Sequence, residues 1–251
     1  MTQTPTKTAI VTGGGRGIGR GCAHELARQG CDIVLADVIP EDLANTKAEI
    51  EAMGRTCRTY VADVADFARA QEIVAEVEAE TGPVAVLVNN AGKSNTDGIC
   101  EITEESFDRT IAINLKGCFN WTRAVAPGMM QAQAGRIVMM SSINAYTGGV
   151  TSAVSKFAYT TAKAGLLGMT KALAKEMAPH VLVNAVCPGI IETERSNDLI
   201  RARKDELQSG ISLQRTGTPA DVAQVVAFLA LSEPCFVTGE DIKIDGFQWV
   251  I

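Results

Sequence analysis

The chain has 251 residues, of which 46% are hydrophobic, and its 29 acidic and 23 basic residues give a formal net charge of −6. This length and apolar content suit one α/β domain with a substantial core, and the acidic balance argues against nucleic-acid binding. Because no stretch approaches the roughly 18 uninterrupted apolar residues of a membrane span and the N-terminus lacks a basic region followed by an apolar run, we predict no membrane partner and a cytoplasmic location.

Seven cysteines are scattered through apolar segments, and none forms a C-x-x-C pair. We interpret them as free thiols in a reducing cytosol. His24 and His180 are the only histidines, and no ligand spacing surrounds either of them. Each is interpreted as a structural or surface residue, and no metal site is predicted.

Short β-rich runs alternate with helical patterns along the whole chain. The predicted strands are 8–12, 32–37, 58–62, 84–89, 136–141, 181–187 and 241–244. The predicted helices are 17–29, 41–53, 66–80, 103–131, 157–178 and 219–231. Several strands are continuous apolar runs, which is typical of strands buried on both faces. The repeated strand–helix order predicts one α/β domain over 1–251, with a parallel sheet of about seven strands and helices on both faces.

Two long segments interrupt this alternation. Residues 143–156 form a polar, glycine-containing connection, and residues 190–215 form a longer one with helical pieces. Long excursions in a tight α/β pattern are usually functional loops or lids. We therefore predict a loop at 143–156 and a substrate lid at about 190–215.

Glycines are concentrated directly after the first predicted strand. The segment TGGGRGIG (12–19) opens the first predicted helix, with Gly13, Gly17 and Gly19 as its spaced members. Such a turn lets the backbone approach a ligand closely and aims helix N–H groups at a phosphate. A tight strand-to-helix turn would explain one glycine without a ligand. Because glycine at the head of a helix costs stability, the whole cluster favours phosphate contact.

An acidic residue ends the second predicted strand. Asp37 lies about twenty residues past the glycines, where a carboxylate accepts both hydroxyls of an adenosine ribose and repels a 2′-phosphate. We therefore predict NAD rather than NADP, with a solvated Asp at a strand end as the alternative. Arg16, inside the glycine segment, either supports a phosphate or points to solvent.

A tyrosine and a lysine stand four positions apart in FAYTTAK (157–163). On a helix this spacing puts Tyr159 and Lys163 on one face. A lysine ammonium beside a phenol favours the phenolate and lowers the pKa of a phenol from its usual value of about 10. The pair is therefore either a feature of a helix surface or a device that exchanges a proton near neutral pH.

Together these motifs resemble the short-chain dehydrogenase/reductase family over essentially the whole chain. The resemblance rests on the glycine turn, on NNAG (89–92) after the fourth predicted strand and on the Tyr159–Lys163 pair. Further matching segments, in the family's order and spacing, are 63–64, 111–117, 135–142 and 183–193. The resemblance implies a Rossmann-type doubly wound sheet, a nicotinamide cofactor, hydride exchange between an alcohol and a carbonyl, and a homo-oligomer, either a dimer or a tetramer.

The resemblance assigns four residues to catalysis. It implies that Tyr159 is the acid/base and that Lys163 binds the nicotinamide ribose and favours the phenolate. Ser142 would hydrogen-bond the substrate oxygen, and Asn114 would kink a helix and hold a water in a proton relay. The chemistry also follows from the groups themselves, because a phenolate removes the proton of an alcohol and a hydroxyl polarises the oxygen on which charge develops.

The resemblance also implies a larger set of residues that line the cofactor. Asp63 and Val64 would flank the adenine, and segment 188–193 would cover the nicotinamide. The complete set is Gly13, Arg16, Gly17, Ile18, Gly19, Asp37, Asp63, Val64, Asn89, Asn90, Ala91, Gly92, Tyr159, Lys163, Pro188, Gly189, Ile190, Ile191 and Thr193.

The spacing of the catalytic residues departs from the family's pattern. Ser142 and Tyr159 are separated by seventeen positions, several more than is usual, so the loop between them is expected to bulge near the substrate. Asn144 and Tyr146 in this loop either contact the substrate or are solvated. Near the C-terminus, Phe247 and Trp249 replace small residues, and we interpret them as packing at a subunit interface, with the capping of a neighbouring pocket as the alternative.

Charge and polarity give the predicted substrate class. Lys93 follows NNAG, where apolar residues are frequent, and either is solvated or faces the pocket. The lid, with Arg195, carries mixed charges at helical spacing that are typical mainly of a solvated face. A polar lid favours a small polar substrate such as a sugar, a polyol or a hydroxy acid. The candidate substrate residues are Lys93, Ser142, Asn144, Tyr159 and Arg195.

The leading hypothesis is therefore an NAD-dependent oxidoreductase acting on a small polar secondary alcohol or carbonyl. One alternative is an NADPH-dependent 3-oxoacyl-thioester or carbonyl reductase, which shares every motif named above. A further alternative is a dinucleotide-binding regulator without turnover, which would have no need of Tyr159.

Overall fold

A parallel sheet forms the centre of the protein. The computed structural model describes residues 6–149, 155–194 and 204–248. In these ranges seven strands pair in parallel in the order β3-β2-β1-β4-β5-β6-β7. They are β1 (Thr8–Thr12), β2 (Asp32–Asp37), β3 (Cys57–Val61), β4 (Val86–Asn89), β5 (Gly135–Met140), β6 (Val181–Pro188) and β7 (Asp241–Ile244). The predicted Rossmann-type sheet is confirmed, with strand ends that differ from the predictions by no more than two residues.

Helices follow the strands as predicted, and the described ones are numbered here in chain order. They are α1 (Gly17–Arg28), α2 (Pro40–Ala52), α3 (Phe67–Thr81), α4 (Glu104–Ile111), α5 (Gly117–Ala132), α6 (Asn144–Thr147), α7 (Phe157–Glu176), α8 (Lys204–Ser209) and α9 (Pro219–Leu231). A π-helical turn (Ala112–Lys116) joins α4 to α5. No helix among the described residues is long and apolar enough to cross a membrane.

The strands bury side chains on both faces of the sheet, which explains their continuous apolar sequences. On one face, strand residues such as Ile10 and Leu87 pack against α3, α5 and α7, with Trp121 fully buried among them. On the other face, residues such as Val11 pack against α1, α2 and α9, with Leu26 among them. The period of two along each strand thus builds two apolar layers.

Side-chain caps fix where several helices begin. The Asp66 carboxylate accepts the backbone N–H of Arg69 at the start of α3, and the Thr103 hydroxyl accepts that of Ser106 at the start of α4. At α9, Thr218 and Asp221 cap each other reciprocally in a capping box. These residues satisfy N–H groups that have no partner inside a helix.

In three predicted segments the structure shows detail that the prediction lacked. The helix predicted at 103–131 is interrupted by the π-helical turn, because the Asn114 amide donates to the carbonyl of Thr110 and one residue is added to the turn. The predicted 143–156 loop contains the short helix α6, and residues 150–154 lie outside the described part. The predicted lid at 190–215 contains α8, and residues 195–203 also lie outside the described part.

The topology places a crevice where the strand order reverses. The chain runs outward from β1 to β3 on one side and from β4 to β7 on the other. The loops that leave β1 and β4 therefore turn to opposite faces, and a gap opens at their carboxyl ends. Ligands of open α/β sheets bind at such a switch point.

Candidate active site

A cavity of about 620 Å³ lies along the carboxyl ends of the strands. Its volume falls within the range of small-molecule sites. The lining residues come from the turn after β1, the ends of β2 to β6 and the start of α7. Of the predicted site residues, those that line it are Gly13, Arg16, Gly17, Ile18, Gly19, Asp37, Asp63, Val64, Asn90, Ala91, Gly92, Lys93, Ser142, Tyr159, Lys163, Pro188, Gly189, Ile191 and Thr193.

The glycine turn is packed against Gly13 and Asn90 at Gly19, and lies beside Thr193 at Gly17. A Cβ on Gly19 would stand 2.0 Å from the carbonyl oxygen of Gly13, so only glycine fits there. The Asn90 amide donates to that same carbonyl at 3.0 Å. Gly17 has φ +57°, and a Cβ on it would meet nothing closer than Thr193 at 3.5 Å. Close packing of the turn therefore accounts for Gly19, whereas the positive φ accounts for Gly17, which lines the cavity.

Asp37 is held rigidly at the end of β2. Its carboxylate accepts the backbone N–H groups of Gly15 at 3.1 Å and Val38 at 2.7 Å. Arg16, the other charged residue of this corner, lies 3.4 Å from the Asp42 carboxylate. The positive charge of Arg16 is thus partly neutralised within the protein, and the corner keeps a net negative charge.

An ion pair borders the cavity beyond β3. The Arg109 guanidinium of α4 donates to the Asp63 carboxylate, and both residues line the cavity. Burial by itself would raise the pKa of Asp63, but the N–H of Ala65 and the Arg109 guanidinium together lower it. Asp63 is therefore an anion at this end of the cavity at neutral pH.

Tyr159 and Lys163 lie close together in the first turns of α7. The Lys163 ammonium lies 5.5 Å from the centre of the Tyr159 ring, and Lys163 is only 2% exposed. The ammonium donates to the carbonyl of Met140 at 2.6 Å, and the Ser141 hydroxyl donates to the carbonyl of Lys163 at 2.8 Å. These two hydrogen bonds fix the start of α7 against the end of β5, so the cation is held in place beside the phenol.

Asn114 supports this arrangement from behind. It is fully buried in the π-helical turn. Its amide donates to the carbonyl of Lys93 at 2.9 Å, and its side-chain oxygen accepts the N–H of Lys93 at 3.1 Å. A Cβ on Gly92 would stand 2.9 Å from the Asn114 oxygen and 3.5 Å from the Lys163 nitrogen. Asn114, the 92–93 backbone and Lys163 are therefore in one packed group.

Ser142 lies at the cavity wall after β5. Its hydroxyl accepts the N–H of Asn144 at 3.2 Å and borders the cavity. For Tyr146 the sequence allowed two interpretations, substrate contact or solvation. In the structure its hydroxyl donates to the Asp241 carboxylate, and its ring packs under the Lys243 ammonium, 4.1 Å from the ring centre. The contacts of Tyr146 are therefore with β7.

Comparisons with known proteins agree with this geometry. The sequence model of a family described as enoyl-(acyl carrier protein) reductase matches residues 13–246. A solved structure described as a putative short-chain alcohol dehydrogenase from Sinorhizobium meliloti is 32% identical, covers 97% of this chain and 96% of its own, and has a TM-score of 0.90. The chain belongs to the short-chain dehydrogenase/reductase family.

Two relatives of this short-chain dehydrogenase/reductase share most of their length with it. Oxidoreductase UcpA from Salmonella typhimurium is 38% identical over an alignment of 255 residues. The alignment covers 98% of this chain and 95% of the relative. The 3-oxoacyl-[acyl-carrier-protein] reductase FabG from Thermotoga maritima is 38% identical over 241 residues, 96% of each chain. The protein is an oxidoreductase that acts on CH–OH groups, and its family uses NAD(P).

The residues of this short-chain dehydrogenase/reductase fit a dinucleotide. Gly17, at the start of α1, lines the cavity, and backbone N–H groups at a helix start favour an anion. Asp37 offers a carboxylate at one end of the cavity, and the Lys163 ammonium lies at the other. Among the described residues no group of three or more His, Cys, Asp or Glu is placed to hold a metal ion.

Some predicted site residues of this short-chain dehydrogenase/reductase do not line the cavity. Asn89 shares a face of β4 with Leu87, and its amide donates to the Thr122 hydroxyl of α5 at 3.0 Å. The period of two along β4 therefore directs the Asn89 side chain away from the cavity. Asn114, Asn144 and Ile190 also lie outside the lining set, and Arg195 lies outside the described residues.

The cavity of the short-chain dehydrogenase/reductase also includes residues that the sequence analysis missed. They are Ala36, Val38, Ile39, Ala62, Ser94, Arg109, Ile113, Met140, Ser141 and Ser155. Most are direct neighbours of predicted residues, and extending each motif by one position would have found them. Arg109 has no such signal, because its contact with Asp63 joins positions 46 residues apart.

Proposed function

We propose that this oxidoreductase transfers a hydride between NAD(H) and a small polar secondary alcohol or carbonyl compound, with Tyr159 as the acid/base. The observation that carries the proposal is the buried Lys163 ammonium, 5.5 Å from the Tyr159 ring in a cavity that the glycine turn also borders. A cation beside a phenol favours the phenolate, which is the form that removes a proton from an alcohol.

Four residues of the chain have a stated task in this proposal. The Tyr159 oxygen accepts the hydroxyl proton of the alcohol, or returns it to the carbonyl oxygen in reduction. Ser142 donates a hydrogen bond to the same substrate oxygen, on which charge develops. Lys163 places its positive charge beside the Tyr159 ring, and Asn114 keeps Lys163 and the 92–93 backbone in place. The bound nicotinamide would supply the hydride chemistry.

The preference for NAD rests on the charge of one corner. Asp37 presents a carboxylate that suits ribose hydroxyls and repels a 2′-phosphate. Arg16, the cation of the glycine turn, lies 3.4 Å from Asp42, so that its charge is already partly compensated. The cofactor-lining set is therefore proposed as predicted, apart from Asn89 and Ile190.

The polar end of the cavity supports a polar substrate. Lys93, Ser94, Ser142 and Ser155 all line it near Tyr159. Hydroxyl and ammonium donors recognise hydroxyl and carboxylate groups, which sugars, polyols and hydroxy acids carry. Lys93 makes a hydroxy acid compatible with this site.

A second candidate function is favoured by one relative. The Thermotoga maritima protein, 38% identical to this chain, is named a 3-oxoacyl-[acyl-carrier-protein] reductase. An NADPH-dependent reductase of oxo-thioesters would use the same tyrosine, lysine and serine in the opposite direction. Turnover with NADPH and an oxo-thioester would identify this function.

The test compares a catalytic variant with a matched tyrosine variant. The wild type, Tyr159→Phe and Tyr60→Phe are mixed with NAD and a panel of sugars, polyols and hydroxy acids, and the absorbance of reduced nicotinamide is followed. Tyr159→Phe should lose about 10²- to 10⁴-fold in turnover and keep its affinity for NAD. Tyr60, on β3 outside the cavity lining, should be replaceable without loss.

The outcomes separate the candidate functions. A Tyr159→Phe variant with the wild-type rate would refute the acid/base role. NAD binding without turnover on any substrate would favour the regulator, and a preference for NADPH with an oxo-thioester would favour the reductase.

Homo-oligomer formation is also proposed. Phe67 and Phe119 stack with ring centres 6.0 Å apart on α3 and α5, and both stay partly exposed. Phe247 is 67% exposed beside β7, whereas Trp249 lies outside the described residues. Exposed aromatic pairs are typical of surfaces that bury against another subunit. Analytical ultracentrifugation measures the assembly, and a monomer at all concentrations would contradict this proposal.

A further inference from the structure

A carboxylate from a distant segment occupies the start of α1. One oxygen of Glu194 accepts the backbone N–H of Gly17, the first residue of α1, at 3.1 Å. The other oxygen accepts from the Arg20 guanidinium at 3.3 Å. The residue before the helix, Arg16, makes no side-chain capping hydrogen bond. Glu194 therefore supplies the cap from 177 positions away.

The same N–H group belongs to the turn that a pyrophosphate would use. The proposed function places the phosphates of the dinucleotide at the N–H of Gly17, where the helix N-terminus favours an anion. A Cβ on Gly17 would lie 3.5 Å from Thr193 and 4.0 Å from the Glu194 oxygen. The carboxylate thus lies against the face that the phosphates need, and two anions exclude each other there.

Arg20 is held so that it stays in place when Glu194 leaves. Its Nε donates to the Glu49 carboxylate at 2.9 Å, and its Nη2 donates to the same carboxylate. Its Nη1 is the atom that contacts Glu194. Displacement of Glu194 would therefore release one guanidinium N–H group beside the phosphate position without freeing the side chain.

We propose that the Glu194 carboxylate is an internal competitor of the cofactor's pyrophosphate and so sets the affinity of the protein for NAD. The proposal rests on the proposed function, because it assumes that the dinucleotide uses the glycine turn. Binding of NAD then requires the carboxylate to leave the N–H of Gly17. Its charge and hydrogen bonds stabilise the free protein at the expense of the complex.

The experiment measures binding rather than turnover. Glu194→Gln keeps the shape of the side chain and removes its charge, and Glu49→Gln is the matched control because Glu49 contacts Arg20 but not Gly17. Calorimetric titrations use NAD, inorganic pyrophosphate and adenosine at low ionic strength. A charge at a helix N-terminus has an effect that corresponds to a change of about two- to fivefold in a binding constant.

Glu194→Gln should therefore bind NAD and pyrophosphate about two- to fivefold more tightly. Adenosine has no phosphate and should bind equally to the wild type and both variants, and Glu49→Gln should change NAD affinity less than Glu194→Gln does. Added salt should reduce the difference between the wild type and Glu194→Gln, because salt screens exposed charges. Glu194 is 57% exposed at its side chain, so the variant is expected to fold, and Glu194→Ala serves as a second variant.

The titrations distinguish a failure of this proposal from a failure of the proposed function. Unchanged or weaker NAD binding by both Glu194 variants, with normal binding by the wild type, would overturn the competition and leave the proposed function intact. A gain that adenosine shares would also overturn it, because the phosphates would then not be the cause. If the wild type does not bind NAD, the proposed function fails, and the titration with pyrophosphate still decides whether Glu194 competes for the turn. Absence of binding of either phosphate compound to any variant would overturn both.

Discussion

Asn114 offers a direct test of how the buried scaffold supports the catalytic pair. Its side chain makes three hydrogen bonds, to the carbonyls of Lys93 and Thr110 and from the N–H of Lys93. Each buried hydrogen bond contributes about 1 kcal/mol net, so Asn114→Ala should lower the free energy of unfolding by about 3 kcal/mol. For a domain of this size that corresponds to a decrease in Tm of roughly 6–12 °C.

A second buried asparagine provides the control. Asn184 on β6 is 1% exposed, donates to the carbonyl of Val237 at 2.9 Å and accepts the N–H of Glu240 at 3.1 Å. It does not line the cavity. Asn184→Ala should therefore cost about 2 kcal/mol without changing the site.

Turnover distinguishes the two variants. Without Asn114 the backbone at Lys93 loses two hydrogen bonds, and Gly92 loses a packing contact beside Lys163. A displacement of about 1 Å in an active site costs roughly 10²-fold in rate. Calorimetry gives the Tm values, and steady-state kinetics well below the lower Tm give kcat/KM. If Asn114→Ala is destabilised as expected but keeps the kcat/KM of Asn184→Ala, the supporting role assigned to Asn114 is incorrect.

Three further predictions follow from particular groups. Asp37→Ala should shift the ratio of kcat/KM for NAD over NADP by more than about tenfold towards NADP, because a like charge that repels the 2′-phosphate is removed. An unchanged ratio would contradict the assignment of the Asp37 carboxylate to the ribose hydroxyls. Thr218→Ala removes the hydroxyl that accepts the N–H of Asp221. It should lower the Tm by roughly 2–4 °C with unchanged kcat/KM, since a cap contributes about 1 kcal/mol. A scanning calorimetry trace that overlays that of the wild type would show that the capping box does not contribute to stability. Burial raises the pKa of Cys22 and Cys57 to about 12, whereas the pKa of a thiol in an unfolded chain is about 8.5. The stability that each buried thiol contributes is therefore complete below the unfolded pKa, and it is lost as the pH rises from there towards the folded pKa. Each thiol should therefore lower the free energy of unfolding by about 2 kcal/mol between pH 8 and pH 10, and urea titrations of Cys22→Ala should show a correspondingly smaller decrease than the wild type.

The fold was predictable because its signals are local. Each strand is a short apolar run, and each helix has its own period, so all seven strands could be found one at a time. The glycine turn and the Tyr159–Lys163 pair are also local, since their members are at most seven residues apart. The structure brings these two motifs to one cavity, as the strand–helix alternation predicts for the carboxyl ends of parallel strands.

The features that were missed depend on contacts between distant residues. The resemblance implied that Asn114 kinks a helix, but the hydrogen bonds of its side chain to both Lys93 backbone groups join positions 21 residues apart and have no signal in the sequence. The contact of Tyr146 with Asp241 joins residues 95 positions apart. Asn89 is a different case, because the alternation along β4 already places its side chain on the face of Leu87, away from the cavity.

The two hydrogen bonds between β5 and α7 have a consequence for how the protein can diversify. They join Met140 and Ser141 directly to Lys163, on either side of the long connection that precedes α7. Lys163 is therefore positioned by hydrogen bonds that do not involve that connection, and the length of the connection can change while this cation stays in place. Insertions there can reshape substrate preference in a lineage, or in a designed library, at little risk to the chemistry.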